Sequence, residues 1–492
     1  MSREAIAQLL SAHAGLMFGL SRYRDLDEAI GRGIAREGVA GPEEYLRLLE
    51  VDADALRALV AEVTVGETYF FRDPAVFTAL REEILPRLAA LPDGLKRRLR
   101  AWSAGCSSGE EAWSIAILFE ELGLTGSHVL GTDISILALA KAQRAIYRPW
   151  SLRSTEAGRA LPYLQEKDEL FAIKDKLRKR VTFAWLNLLG GDYPSLANGT
   201  AGLELILCRN VLSYLHPAAC KEVAQRLYAS LAEGGILITG PSDPPLAEHA
   251  PFEQQRNAQG VFFYRRPGAA LLRPRAPPPA APALEARPAP VAKRRLPEES
   301  VRPPAKAGQV ARPRVPPPPV AGPSLASLEA AFVAGDYAGV LARTLREERP
   351  QALELRIKAL ANLGRLAEAE RVAAEATVKL PLSIELHYLR AALAHARGNA
   401  RKARGAAERA LYLDRSLAVV HFLLGLIAWD QGAVPAARRS FRNAQRLCRG
   451  RPPDEPLALG DGQSAGNLLV AATSQIKLID LGRRRGDPSV DL

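Results

Sequence analysis

The sequence predicts an α/β fold with a mainly parallel, Rossmann-like sheet, preceded by a small helical domain and followed by an all-α repeat solenoid. Three observations carry this. Apolar, strand-like runs alternate with helical periodicity between residues 99 and 266. Residues 1–80 show helical periodicity alone, as in EEYLRLL and DALRALVAEV. Beyond a proline-rich break, glycines recur at a nearly fixed interval.

Taken in order, the candidate strands are LRAWSA (99–104), HVLGTD (128–133), VTFAWL (181–186), LELILC (203–208), GILITG (235–240) and VFFYRR (261–266). Helical periodicity fills 110–122, 135–145 and 218–232. Strands that alternate with helices argue a parallel sheet covered on both faces.

From Arg265 to Pro323 the chain has 12 Arg and Lys against three Glu, and 17 of its 36 prolines. Such a segment buries too little apolar surface to offset its ordering entropy. It reads as an extended, partly polyproline linker over 267–323. A docking site for an acidic partner or a membrane surface is the other reading of its charge. After it, AGDY, LGRL, RGNA and QGAV place Gly335, Gly364, Gly398 and Gly432 at spacings of 29, 34 and 34. Five residues after each comes Val340, Ala369, Ala403 or Ala437, small enough for paired helices to approach closely. A helix–turn–helix period of about 34 residues resembles the tetratricopeptide repeat. Stacked repeats form a groove, so 324–450 is expected to bind a protein or peptide partner, with pure scaffolding as the alternative. Residues 451–492 read as a C-terminal tail. Few contacts are expected to cross the linker, so each half should fold on its own core.

Composition narrows the class. Of 492 residues, 48% are hydrophobic, enough for real cores. No apolar run approaches the ~20 residues of a membrane span. The N-terminus, MSREAIAQLLSAHAGLMFGL, lacks the basic–apolar–cleavage pattern of a secretory signal. Cys106, Cys208, Cys220 and Cys448 form no CxxC pair, and are expected as reduced thiols of a cytoplasmic protein, with no metal. The net charge of +12 lies mostly in the linker window, which supplies +9. Neither a nucleic-acid partner nor membrane insertion is therefore expected.

The chemistry gathers at 102–117, WSAGCSSGEEAWSIAI. The first strand ends at Ser103, a turn runs from Gly105 to Gly109, and a helix opens on Glu110 and Glu111. Glycines there let the backbone approach a ligand closely. A pyrophosphate would favour a helix N-terminus free of acid. The helix dipole alone favours the two carboxylates, and so would a cationic ligand group such as the amino group of a methionine moiety. The second strand ends in Asp133, in GTDIS, where an acid binds ribose hydroxyls in doubly wound folds. A turn acid with a ribose acid fits S-adenosylmethionine better than a nicotinamide dinucleotide.

From about residue 20 to 266 the chain resembles the CheR family of chemotaxis-receptor methyltransferases. The matching pieces are TVGETYFFRDP (64–74), WSAGCSSGEEAWSIAI (102–117), GTDIS (131–135), VTFAWLNLL (181–189) and CRNVLSYL (208–215), in that order. EGGILITGPSD (233–243) supports the same sheet. The repeat half resembles the C-terminal extension found in a subset of that family.

The resemblance implies a helical domain over 1–80 and a methyltransferase domain over 81–266. A small inserted antiparallel subdomain, at about 147–180, grips a receptor tail in relatives. The implied cofactor is S-adenosyl-L-methionine, and the implied substrate is the cytoplasmic domain of a chemoreceptor. Residue by residue, Thr68 and Arg72 would line the methyl-transfer site. Glu110 would contact the methionine end of the cofactor, Asp133 its ribose, and Asn187 and Leu188 its adenine. Arg209, Asn210 and Tyr214 would face the reacting centre, Arg209 and Asn210 as cofactor contacts, and Tyr214 with Arg72 as catalytic residues. Gly66 stands where the family usually has Asn, so one polar contact is missing. Phe70 and Phe71 are expected in the core. His216, in YLHP, reads as the start of a helix, with a general base as the other reading.

Carboxylate chemistry agrees with a site of this kind. A glutamate side chain has a reference pKa of about 4.3, so it is already a nucleophile at neutral pH. No general base is needed, and alignment can supply up to ~7–11 kcal/mol. The expected function is methylation of chemoreceptor glutamates in chemosensory signal transduction. A cofactor-binding scaffold with little turnover, or a nucleic-acid or small-molecule methyltransferase on the same fold, are the alternatives.

Overall fold

A computed structural model of the chain describes residues 2–19, 22–64, 66–90, 98–190, 193–268, 324–460 and 463–483. The linker expected at 267–323 lies, from residue 269 on, outside the described residues.

The N-terminal region is helical, with α1 (Ser2–Ala14), α2 (Tyr23–Glu37), α3 (Pro42–Val51) and α4 (Ala53–Val63). Their apolar stripes meet in one core around Ile6, Leu10, Leu26, Tyr45 and Leu59. Asp52 starts α4 by accepting from the backbone N–H groups of Asp54 and Ala55, which satisfies donors that a helix start leaves open. Then α5 (Pro74–Ala79) runs through a π turn at Leu80–Ile84 into α6 (Leu85–Ala89).

The next region alternates as predicted: β1 (Arg100–Ala104), α7 (Glu110–Glu121), β2 (His128–Asp133) and α8 (Ile136–Arg144). A small antiparallel sheet follows, built from β3 (Ile146–Tyr147), β4 (Leu164–Lys167) and β5 (Leu170–Ile173) in the order β3-β5-β4. After the short α9 (Asp175–Arg178) come β6 (Val181–Trp185), β7 (Leu203–Cys208), α10 (Pro217–Ser230), β8 (Leu231–Thr239), β9 (Glu253–Arg256) and β10 (Phe262–Arg265). The main sheet has seven strands in the order β6-β2-β1-β7-β8-β10-β9. The first five are parallel, and β10 and β9 close the sheet antiparallel. All six predicted strands lie in it. The strand β9 was not predicted, because EQQR carries no apolar alternation. Register matters at one end: Ala104 lies level with Thr132, and Ser103 with Leu207. The carboxyl ends of β1, β2 and β7 therefore open side by side, where open α/β sheets place their ligands.

The C-terminal region is all helical: α11 (Leu325–Val333), α12 (Tyr337–Thr344), α13 (Pro350–Asn362), α14 (Leu366–Lys379), α15 (Ile384–Ala396), α16 (Ala400–Leu413), α17 (Ala418–Asp430) and α18 (Val434–Cys448). The recurring glycines sit in the turns within each pair, with φ of 77°, 75°, 71° and 69°, a conformation that costs other residues more. Val340, Ala369, Ala403 and Ala437 are all fully buried.

Two expectations are corrected here. Residues 451–492 are not simply a tail, since Ala465–Arg483 form α19, which packs on α18, α8 and β6. The two halves also share surfaces. Leu478 of α19 is buried in the sheet's core cluster with Leu139 and Phe183. Lys477 pairs with Asp54 of α4. Thr182 of β6 donates its hydroxyl to Asp430 of α17 (2.9 Å), and Ala197, between β6 and β7, is buried in the repeats' own cluster. A proline-rich linker says how the chain crosses, not whether the parts it joins then meet.

Leu478→Ala should lower stability by about 2–5 kcal/mol, the usual cost of truncating a buried leucine. Thermal unfolding of the full chain reads it directly. An unchanged midpoint would mean that α19 does not hold this position in solution.

Candidate active site

Outside the carboxyl ends of β1, β2 and β7 lies a cavity of about 360 Å³, a size suited to a small ligand. Of the sequence-predicted site residues, Thr68, Arg72, Asp133, Asn187, Leu188, Arg209, Asn210 and Tyr214 all line it; Glu110 does not. The N-terminal region contributes Ala14, Leu16 and Arg22 to the same wall.

The turn after β1 is built by its glycines, for a packing reason that adds to the one the sequence suggested. Gly105 has φ of 78°, and a Cβ there would lie 2.5 Å from Val211. Gly109 has φ of 93°, and a Cβ there would lie 2.8 Å from Ala142 and 2.9 Å from the Phe183 ring. Both glycines permit positive φ and close packing against the protein itself, and Gly105 also lines the cavity.

Asp133 organises that turn. Its Oδ2 accepts from the Ser107 N–H and its Oδ1 from the Ser135 N–H, each at 2.8 Å. Burial pushes its pKa up, and the backbone donors pull against that. Each oxygen keeps capacity for a further donor.

The two adjacent glutamates part company. Glu110 is 2% exposed and accepts from the hydroxyls of Ser108 (2.8 Å) and Ser151 (2.9 Å). Burial pushes its pKa up, opposed by those hydrogen bonds. Glu111, about 100° further round the helix, lines the cavity instead. The predicted role of Glu110 at the cavity is thus corrected in favour of its neighbour. Glu111 accepts from the Ser103 hydroxyl (2.7 Å) and from Arg209 Nη1 (3.0 Å).

Arg209 reaches the cavity wall, but its guanidinium also pairs with Asp73. Two carboxylates thus hold it in place at that wall. Asn210 has φ of 56°, and its backbone N–H is held by Asp243 Oδ2 at 2.7 Å. The Asn187 side chain is also engaged within the protein: Nδ2 donates to His13 O (2.7 Å) and Oδ1 accepts from the Leu189 N–H (3.0 Å). The Tyr214 ring is covered by the Arg22 guanidinium, 5.0 Å from its centroid. Arg72 Nη1 donates to Glu67 O (2.6 Å). Gly66 lies on the wall, where a Cβ would come within 3.3 Å of the Ser107 hydroxyl. Phe70 and Phe71 are fully buried. His216 caps α10, its Nδ1 accepting from the Ala219 N–H (3.2 Å).

Asp243 and Arg22 were not singled out from the sequence, and Glu111 was named there only as one of a pair with Glu110. Glu111 stood in the same motif as Glu110, and Asp243 closes the segment EGGILITGPSD; Arg22 carried no local signal.

Cavity and chemistry are consistent with S-adenosylmethionine. The carboxylates of Glu111 and Asp133 suit a cationic amino group and a ribose diol, and Ile134, Leu137, Ala138 and Leu186 add apolar wall for a base. Residues 66–260 match the family described as CheR methyltransferase, SAM binding domain. A probable biofilm formation methyltransferase, WspC, of Pseudomonas putida is 30% identical over 434 residues, covering 86% of this chain and 93% of that one. Chemotaxis protein methyltransferase 1 of Pseudomonas aeruginosa is 29% identical over 250 residues, covering 49% of this chain and 89% of that one. The chemotaxis protein methyltransferase of Vibrio parahaemolyticus is 32% identical over 238 residues, covering 47% and 80%. The chain belongs to the CheR family of S-adenosylmethionine-dependent methyltransferases.

Proposed function

We propose that this chain is a protein-glutamate O-methyltransferase that esterifies glutamates on the cytoplasmic domain of a chemoreceptor, in chemosensory signal transduction. The observation that carries the reading is Arg72, fixed at the wall of a cavity that also holds Glu111 and Asp133. Relatives named chemotaxis protein methyltransferases support the receptor as substrate. That substrate places the work in the cytoplasm, and no helix among the described residues is long and apolar enough to cross a membrane.

S-Adenosylmethionine, when bound, supplies an electrophilic methyl group on a sulfonium that leaves as a neutral thioether. The chain's own task is alignment. Asp133 would hold the ribose and Glu111 the amino group, with Asn187 and Leu188 at the adenine side. Thr68 would border the reacting centre. Arg72 would orient the acceptor carboxylate through paired N–H donors, and the Tyr214 hydroxyl would add a hydrogen bond. No histidine lines the cavity among the described residues, and an ionised acceptor needs no base.

We divide the chain into 1–80, 81–266 with the insert at about 147–180, a spacer over 267–323, and a repeat region from 324 that binds a protein or peptide partner. The helix α19 belongs with the repeats and docks them on the sheet.

The test is incubation of the full chain with methyl-labelled cofactor and receptor cytoplasmic domains. Base-labile label on the receptor is the expected result; cofactor binding without any protein label would favour a scaffold instead.

Asp133→Ala should weaken cofactor affinity roughly 10- to 150-fold, the cost of losing charged hydrogen bonds worth about 1.5–3 kcal/mol. The pH dependence has a definite sign. The raised pKa means that Asp133 takes up a proton at higher pH than the usual ~3.9. Cofactor affinity should therefore fall as pH drops towards that region, and Asp133→Asn should flatten the dependence. Titration calorimetry across pH reads both.

Arg72→Ala should lower turnover about 10- to 100-fold, on the same energy scale, with a smaller change in cofactor affinity. Arg72→Lys should restore little of it, because a point charge cannot replace a planar fork. Parent-level turnover in either variant would leave Arg72 a surface charge.

Arg209→Leu should cost about 3 kcal/mol, the lower part of the range for breaking a buried pair, because Asp73 is partly exposed. Adding Glu111→Gln should recover part of the lost thermal stability. No recovery would mean that the Glu111 charge is not what Arg209 balances.

A further inference from the structure

An alternating row of cations and rings leads out of the cavity. The Arg72 guanidinium carbon lies 5.8 Å from the centroid of the Tyr69 ring. Arg153 lies 3.9 Å from the same ring and 4.6 Å from the ring of Trp150. Trp150 ends the row with 71% of its surface exposed. Glu67 ties the two arginines together: its carbonyl accepts from Arg72 Nη1 (2.6 Å), and its carboxylate from Arg153 Nη2 (3.1 Å).

The outer half of the row is fastened to the inner half by backbone. The Phe70 N–H donates to Ser151 O (2.9 Å), and the Ser154 hydroxyl donates to Phe71 O (3.1 Å). Arg153 Nη1 also donates to Trp150 O (2.8 Å). The turn at Pro149–Leu152 is therefore set in a fixed position relative to Arg72. Its tryptophan packs into no core, although large aromatic side chains gain most from burial. Exposed aromatics beside arginine are the residues that most often anchor a protein partner.

We propose that this row is the edge along which the acceptor segment of the substrate, taken as a helix of a receptor coiled coil, is laid. The inference rests on the glutamate-methylation reading and deepens it. The acceptor carboxylate meets Arg72, a second carboxylate of the same helix replaces Glu67 on Arg153, and Trp150 packs on the helix's apolar flank. Glu67 is well suited to be displaced, since its side chain is 61% exposed and such surface pairs are weak. The spacing sets the register. Two guanidiniums that flank one ring at 5.8 and 3.9 Å lie within about 10 Å of each other. A helix with a pitch of 5.4 Å covers that distance in one or two turns. The second carboxylate should thus stand three, four or seven residues from the acceptor.

The experiment measures initial rates of base-labile ester formation by the full chain on a receptor cytoplasmic domain. Trp150→Ala should raise KM for the receptor about tenfold, with a smaller change in kcat and an unchanged cofactor Kd by calorimetry. Trp150→Phe should restore most of the loss, which a merely structural tryptophan at an exposed site would not show. In the second arm, receptor carboxylates three, four and seven residues from the acceptor are changed singly to Gln. One of these should raise KM for the parent enzyme about tenfold and have little effect on Arg153→Gln. A KM for Trp150→Ala within twofold of the parent, or receptor substitutions that act equally on parent and Arg153→Gln, would overturn the proposal. Absence of label with the parent enzyme would instead sink the methylation reading itself.

Discussion

Arg209 stands at the tip of β7 with 1% of its side chain exposed, and holds Glu111 on one side and Asp73 on the other. A cation so fully removed from water is tolerated only when it is paired. Here the pairing joins three segments that are distant in sequence: the end of a strand, the first turn of α7, and the loop that carries Arg72. Remove the guanidinium, and two carboxylates are left to repel each other beside a cavity that already contains Asp133. The Glu111 side of the cavity and the loop that carries Arg72 are thus fixed to each other through one side chain.

The same loops carry backbone strain. Phe71, Asp73, Ser107 and Asn210 all have positive φ, between 48° and 63°, a region that side-chain-bearing residues enter at a cost of roughly 1–3 kcal/mol each. Each is held by a named partner. Ser114 accepts from the Phe71 N–H, Arg209 pairs with Asp73, Asp133 accepts from the Ser107 N–H, and Asp243 accepts from the Asn210 N–H. Asp133 and Asp243 therefore act before any ligand arrives, shaping the turns that a ligand would meet. A reaction that needs alignment and no proton transfer gains most from such stiffness.

Strands were legible because five of them are buried parallel strands with near-continuous apolar runs, and the repeats because their turn glycines recur. The cavity's membership was legible from ordered motifs, down to Asp133 and Arg72. What the motifs could not convey is direction. Glu110 and Glu111 are chemically identical neighbours, and the hundred degrees between them decides which one meets the cavity. Arg209 and Asn187 were expected to face a ligand, and both line the cavity while also bonding the protein itself. The glycines of the turn were read as room for a ligand; Gly105 does line the cavity, and the two also leave room for Val211 and Phe183, which the sequence did not convey. The rest was hidden because it is non-local: nothing near residue 478 announces that Leu478 completes a core drawn from residues 70–263.

That non-local helix changes how the two halves are coupled. Helix α8 supplies Leu137, Ala138 and Lys141 to the cavity wall, and α8 also packs against α19. α19 in turn packs on the last repeat helix, α18, where Arg438 pairs with Asp480 (2.9 Å). Repeats and cavity are thus connected through packed helices, not through the linker alone. The sheet contributes as well. β6 is an edge strand, and an open edge exposes unpaired backbone groups. Thr182 on that edge bonds Asp430, so the repeats touch this flank, while residues 181–187 also line a broad groove between the sheet and the repeats. A partner that displaced the repeats would have to break the Thr182–Asp430 bond and withdraw Leu478 from the core together.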